Sequence, residues 1–543
     1  MKNFLSMAAL ALMGAMMTGC SSDDNFDNPQ QPANTSNVVT LTTTIGFDAN
    51  TSTRALASGG VKTFAEGDQI AVIYKNASDE TIKTVSTISS GAGTKTATFT
   101  VALTNPDNTK AIRYIYPAAM AKATIATNAT IDDDGTVDFT KLNSQTGSLT
   151  TLGNNLDLCT LDAANWTSGT LPTGTLENKL AILAITLKNS DGSSDITSST
   201  TKLTVSDGTN TYNVSRSVAA GPIYVAIRPT TSATIGITAT SDSKGYYKIL
   251  TTPKSYAASN GYSVSWKMTQ GANLSMLTAA YTAQNGDKLT GTLGSNVKIS
   301  IADGATVTLD GLSINASGSW TSGDYAGITC LGDATITLEG TNTVKGFYEN
   351  YPGIHIATGK TLIIKGSGTL TASTNNGDGG AGIGAGRQIH CGNIEIQNGT
   401  ITANGGQYGA GIGGGFLANC GNITISGGTV MATGGYRAAG IGGGTRSGGT
   451  AGGNCGNITI SGGTVTATGG ENAAGIGGGK GNNNTYKSSC GTITIANTVT
   501  KVTATMGSGS TNSIGAGKYC NCGTVTIGGV VGAITDSPYI YEP

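Results

Sequence analysis

Apolar and polar positions alternate in short runs along almost the whole chain, and no long segment repeats its apolar residues at the helical period. The alternation comes in two forms. From Val38 to about Thr269 the runs are unevenly spaced, as in Val38–Ile45, Gln69–Tyr74, Lys95–Val101, Ile112–Tyr116, Lys179–Leu187 and Pro222–Ile227. Turn residues part them at intervals suited to β-sandwiches, which predicts two modules, 38–169 and 170–269. From about Asn296 the pattern becomes periodic. One unit reads GIG, then NITIS, then TVTAT, and Ile383, Ile412, Ile441 and Ile476 fall in equivalent places at intervals of 29, 29 and 35. Three short strands per unit predict one coil of a parallel β-helix, each coil stacked on the next. Less regular coils align at Ile328 and Ile354, and a last one at Ile514. The fold class is therefore all-β: two β-sandwich modules followed by a parallel β-helix over 270–532 and a C-terminal tail, 533–543. About eight coils at ~4.8 Å each give a stack ~40 Å long.

Period-2 alternation assigns the faces of each coil. Ile423, Ile425, Val430 and Ala432 point inward, as do Ile458, Ile460, Val465 and Ala467, while Thr424, Thr459, Thr466 and Thr468 point outward. Each buried branched side chain contributes ~1.5–3 kcal/mol, but only when a neighbouring coil covers it. Cys391, Cys420, Cys455 and Cys490 form a further column. They read as free, buried thiols packing as small apolar residues, with disulfides between adjacent coils as the alternative. Cys520 and Cys522 lack a second pair or a nearby His and are assigned no metal.

Charged residues make up 12% of the chain and the net charge is −1, so no basic field draws nucleic acid. The chain opens with Lys2, an apolar run from Phe4 to Met17, then Thr18-Gly19-Cys20. This reads as a secretory signal over 1–20. Its end resembles a bacterial lipobox, which implies that Cys20 is lipidated and heads the mature protein. Ser21-Ser22-Asp23-Asp24 resembles the acidic tag of lipoproteins sent to the outer surface, and 21–37 reads as a flexible tether. The expected location is the outer membrane, surface-exposed, with the acyl chains as attachment.

Six stretches of the N-terminal half resemble the fimbrillin family of pilus subunits: TLTTTIGFDANTSTRA (ending at Ala55), FAEGDQIAVIY (64–74), KTATFTVAL (95–103), YIYPA (114–118), LENKLAILAITLKN (176–189) and GPIYVAIRP (221–229). The resemblance implies assembly by strand exchange: a protease cuts after an Arg in the first strand region, and a strand of the next subunit fills the groove left behind. Arg54 matches that position, with Ala55 as the new end; the other reading is an ordinary loop arginine. Stalk subunits of the family donate a strand from the C-terminus. Here a repeat region follows instead, which fits a tip or accessory subunit, or a surface lipoprotein that never polymerises.

The repeat region resembles the right-handed parallel β-helix of pectate lyases, a fold that hosts lyases and hydrolases of acidic polysaccharides. Such enzymes need clustered carboxylates with Arg or Lys near the cleaved bond. Between Ala381 and Gly479 the charges are Arg387, Glu395, Arg437, Arg446 and Glu471, with no adjacent carboxylates, so no catalytic residue, cofactor or metal is assigned and no enzyme is expected. Asp303, Asp310, Asp324 and Asp333 in the first coils leave a Ca²⁺ site open. Tyr325, Tyr351, Tyr408 and Tyr436 each precede the Ile of a coil by three to five residues and are the candidate glycan-binding edge. Aromatic shielding of a corner is the alternative. The expected function is a cell-surface adhesin: a pilus tip or accessory subunit displaying a β-helix to glycan or host surface. The alternatives are a stand-alone glycan-binding lipoprotein and a polysaccharide lyase or hydrolase.

Overall fold

The computed structural model describes residues 37–47, 63–294, 296–315, 325–347, 350–374, 379–447 and 453–543. Cys20, Arg54, Ala55 and Asp324 lie outside them. Strands dominate throughout, and no helix among the described residues is long and apolar enough to cross a membrane.

The first seven-stranded unit closes into a barrel. Val38–Phe47 runs antiparallel to Thr96–Thr104, and its end pairs in parallel with Gly174–Asn178 to complete the wall. Alternation places Ala97, Phe99, Val101 and Leu103 inside while their neighbours face solvent. Gln69–Lys75 instead has five consecutive buried residues. Ile70, Val72 and Tyr74 fill the barrel, whereas Ala71 and Ile73 point outward into the core of the second module. A strand buried on both faces reads as an unbroken apolar run for this reason. Arg113 is buried in the same wall, held by Asp162 at 2.5 and 3.1 Å and Asp133 at 2.8 Å. Because Gly174–Asn178 completes the barrel, the two cores change hands between Asn178 and Ala181 rather than at the expected 169/170 division. Short helices at Phe139–Asn143 and Leu149–Asn155 send Leu142 and Leu152 into the second core, although they precede that division.

The second module pairs the sheet Ile223–Ile227, Ala181–Lys188, Gly261–Lys267 with the sheet built from Thr200–Ser206, Thr211–Ser215, Gly236–Ser241 and Lys244–Ile249. Its last strand has a consequence for the whole molecule. Lys244–Ile249 pairs with Thr269–Asn273, which runs parallel to Lys288–Thr292, which in turn runs parallel to Ala305–Ile314. One sheet thus passes from the sandwich into the β-helix without a linker. At the weld, the fully buried Asp287 accepts hydrogen bonds from Tyr281 Oη (2.6 Å), Gln270 Nε2 (2.8 Å) and the Gln284 N–H (2.8 Å).

Among the described residues the β-helix has three long strand columns and a short fourth at the cysteines. One holds nine strands, from Tyr281–Ala283 through Ile328–Cys330 and Ile412–Gly413 to Ile514–Gly515. Ile412 stacks on Ile441 and Ile441 on Ile476, in register. The second column carries Ile394, Ile423, Ile458 and Ile493, and the third Ile401, Val430, Val465 and Val502. All of these side chains are buried. Asparagines explain why CGN recurs beside them. The Oδ1 atoms of Asn393, Asn422 and Asn457 accept the N–H of Asn422, Asn457 and Thr492 at 2.8, 2.9 and 2.9 Å, each binding the coil above. The segment set apart as a tail folds back as a cap, Tyr539–Tyr541 pairing antiparallel with Val502–Ala504 and Ile534 with Ile514. Capping blunts the open edge of a stack.

Candidate glycan-binding face

Two series of loops lie beside the isoleucine column, one before it and one after. Position four after each isoleucine is Arg387, Phe416, Thr445, Lys480 and Lys518 in successive coils. Backbone bonds run along this row: Gln388 N–H to Phe416 carbonyl, Leu417 to Thr445, Arg446 to Lys480, and Gly481 to Lys518. The preceding loops join the same surface, since Thr445 N–H donates to Tyr408 carbonyl and Lys480 N–H to Arg437 carbonyl.

Only part of the predicted aromatic edge comes together here. Tyr408 lies 5.1 Å from Phe416 and 6.4 Å from Tyr436, ring centre to ring centre. Tyr325 packs instead against Phe347 at 4.7 Å, and its hydroxyl donates to the Asn296 carbonyl at 2.8 Å. The backbone of Tyr351 lies against Gly380 of the next coil, which carries no side chain to continue the stripe. The four tyrosines are thus not one row. Phe416 was missed because the count ran backward from the isoleucine; counting forward four residues finds it together with its cationic neighbours.

Cations stack on the rings of this face. Arg387 lies 5.2 Å over Phe416, Arg437 4.8 Å over Tyr436, Arg446 5.8 Å over Tyr486 and Lys518 5.6 Å over Tyr519. The Tyr436 hydroxyl first, then Asn472, which donates to Glu471 at 2.7 Å, with Arg437 and Lys480 nearby, hold the Glu471 carboxyl below the usual range. Burial, with Arg437 and Lys518 beside it, lowers the Lys480 ammonium.

The early acidic residues have structural partners. Asp303 Oδ1 accepts the Asp333 N–H and Asp333 Oδ1 the Thr361 N–H, both at 2.8 Å, and Lys360 bridges the two carboxylates. Asp310 pairs with Lys288 at 3.1 Å. Among the described residues no group of three or more His, Cys, Asp or Glu could hold a metal ion.

The cysteine column divides. Cys391, Cys420 and Cys455 are free and buried, but Cys490 is bonded to Cys522 of the final coil, with Cα atoms 4.5 Å apart. The expectation of free thiols holds for three rungs and fails at the fourth, where Ser488–Cys490 and Cys520–Cys522 run in parallel register. The Cys391 hydrogen bond and burial raise the Cys420 thiol, and burial raises Cys455, which keeps both protonated and unreactive. The disulfide closes a separation of 32 residues. Loop-closure entropy makes that worth about 3–4 kcal/mol. Cys522→Ser is expected to raise hydrogen exchange in the last coil, around Ile514 and Val525, while leaving Ile412 unchanged. Equal exchange in wild type and variant would refute a stapling role.

The Beta helix repeat family matches the chain at residues 394–416, 423–445 and 458–480. No curated protein matches it. Several solved structures do. A provisionally assigned cell adhesion protein of Bacteroides uniformis aligns with 44% of this chain and 97% of its own at 16% identity and a TM-score of 0.26. A fimbrial assembly protein of Parabacteroides distasonis aligns with 44% of this chain and 96% of its own at 9% identity and a TM-score of 0.24. A structure from Bacteroides thetaiotaomicron named among polysaccharide binding proteins aligns with 37% and 76% at 8% identity and a TM-score of 0.21.

Proposed function

We propose that this chain is a cell-surface adhesin whose N-terminal half, fimbrillin-like in sequence, presents the β-helix, and that the loop face of the β-helix binds glycan. The observation that carries the reading is the Tyr408–Phe416–Tyr436 cluster, three rings on two neighbouring coils flanked by hydrogen-bonding side chains. Aromatic faces stack on sugar rings, and Arg, Asn and Thr bond to hydroxyls. Binding without cleavage is part of the proposal. The described part of this face presents one carboxylate, Glu471, where glycoside hydrolysis uses two.

A tip or accessory place in a pilus, lipidation at Cys20 and cleavage after Arg54 belong to the same reading and rest on the sequence resemblance. Mass spectrometry of the mature N-terminus on intact cells separates a pilus subunit, beginning at Ala55, from an anchored lipoprotein beginning at Cys20.

The binding reading is tested on a glycan array with the variant Tyr408→Ala/Phe416→Ala/Tyr436→Ala. Loss of signal by ~10-fold or more, about 1.4 kcal/mol, is expected. Binding that survives this replacement in a folded variant counts decisively against the face.

A further inference from the structure

Charge is distributed unevenly on this molecule. The chain as a whole is nearly neutral, at −1, yet Arg387, Arg437, Arg446, Lys480 and Lys518 gather on one loop face with Glu471 as its carboxylate among the described residues. These five cations are absent from the salt bridges of the described residues, which lie on the barrel, the sandwich, the first coils and the C-terminal cap. Five cations share one carboxylate, Glu471, so like charges crowd, and the lowered Lys480 ammonium reflects burial first and then Arg437 and Lys518 beside it.

A second observation falls on the same surface. Five buried side-chain polar atoms among the described residues have no hydrogen-bond partner, and four of them are Asn350 Oδ1, Arg437 Nε, Thr445 Oγ1 and Arg446 Nε. Thr445 is 2% exposed. Asn350 belongs to the face through its carbonyl, which accepts the Arg387 N–H at 2.7 Å. Buried polar atoms are normally satisfied, so their concentration at one place marks a surface completed by something else. The fifth, Trp166 Nε1, lies in the barrel.

We infer that the ligand of this face is an acidic glycan, a chain of sugar rings bearing carboxylate or sulfate groups. The inference rests on the glycan-binding reading above and adds its chemical class. The rings of Tyr408, Phe416 and Tyr436 take the sugar faces, and the stacked guanidinium groups of Arg387 and Arg437 meet the anionic substituents. Stacking holds a guanidinium plane flat and leaves its N–H edge open to a two-pronged bond with a carboxylate or sulfate. The row Arg387–Phe416–Thr445–Lys480–Lys518 follows the helix axis at ~4.8 Å per coil, so a polymer lying along it meets repeated contacts.

The test measures binding of the mature chain to two matched pairs of immobilised polymers: polygalacturonate with its fully methyl-esterified form, and dextran sulfate with dextran. Single-stranded DNA serves as a polyanion without sugar-face stacking of the same kind. At least one charged glycan is expected to bind ~10-fold or more tightly than its neutral form, weakening as salt rises past 0.1 M, where the screening length falls to ~10 Å. The variant Arg387→Gln/Arg437→Gln/Lys480→Gln should lose that advantage. Lys202→Gln/Lys345→Gln/Lys365→Gln, which removes equal charge elsewhere, should keep it. Which charged polymer binds names the carboxylate or the sulfate. Equal binding of charged and neutral forms, lost on alanine replacement of the three rings, overturns the acidic class while leaving the glycan reading intact. No binding to any glycan overturns both, and DNA binding as tightly as the glycans reduces the face to a general polyanion surface and overturns the inference.

Discussion

Gly442→Ala is expected to abolish cooperative folding of the central coils. Gly384, Gly413, Gly442, Gly477 and Gly515 follow the stacked isoleucines, and all have φ between +128° and +136°. L-residues rarely adopt that conformation. Space is as restrictive as the dihedral. A Cβ on Gly442 would sit 2.0 Å from the carbonyl oxygen of Gly477 on the adjacent coil, and one on Gly413 2.1 Å from that of Gly442. The atom in the way is backbone, and that backbone is bonded in turn to the next coil, so relief at one rung transmits strain to its neighbours. The expected cost exceeds ~4 kcal/mol, the range reserved for steric and strain lesions in a core. Gly529→Ala is the control: its φ is +84°, yet nothing lies within 4 Å of the added Cβ. That change should cost about 1 kcal/mol from strain alone. Hydrogen exchange at Ile412, Ile441 and Ile476, read beside a thermal melt, checks both. A Gly442→Ala protein whose isoleucines exchange as slowly as wild type would show that the coils are less tightly stacked than described.

The same columns show why so much of the C-terminal half was legible. A repeat calibrates itself: once Ile383, Ile412, Ile441 and Ile476 are aligned, period-2 alternation fixes the inward residues of every coil. The first coils were harder to place because Tyr281-Thr282-Ala283 stands where later coils have Ile-Gly, and because their interval to Ile299 is shorter. The weld at Thr269–Asn273 left no local mark. Its pairing with Lys244–Ile249 is a tertiary event between strands that alternate like any others. The Cys490–Cys522 bond was hidden for a related reason. Cys522-Gly523-Thr524 repeats Cys490-Gly491-Thr492 one coil on and in register, so the column runs on to Cys522; its close neighbour Cys520 makes the two look like a separate pair. The candidate face was half legible, since the tyrosines announce themselves while the position that links Arg387, Phe416 and Lys480 emerges only from the loop register.

Removing residues 1–54 is expected to open the barrel, and supplying the missing strand in trans to close it again. Val38–Phe47 contributes nine register pairs to Thr96–Thr104 and three to Gly174–Asn178. It buries Thr43, Ile45 and Phe47 and lays Phe47 at 4.2 Å on Phe64. Burial of Ile45 and Phe47 alone contributes ~1.5–3 kcal/mol each. Without the strand, two edges carry unpaired backbone groups around an apolar trough floored by Phe99, Val101 and Leu176, a surface that recruits a β-strand. The 55–543 chain should therefore bind an apolar dye and lose the barrel transition on heating. A synthetic 38–47 peptide should restore it in a concentration-dependent manner, by ~2.7 kcal/mol at a hundredfold excess over its dissociation constant. The β-helix, with its own core and C-terminal cap, should melt unchanged in the same sample. If 55–543 melts as the intact chain does and ignores the peptide, Val38–Phe47 is a dispensable edge and strand exchange has no groove in which to act. If the trough accepts only the chain's own strand and rejects the equivalent strand of a pilus subunit, the barrel is built to be held shut rather than to be filled by a neighbour.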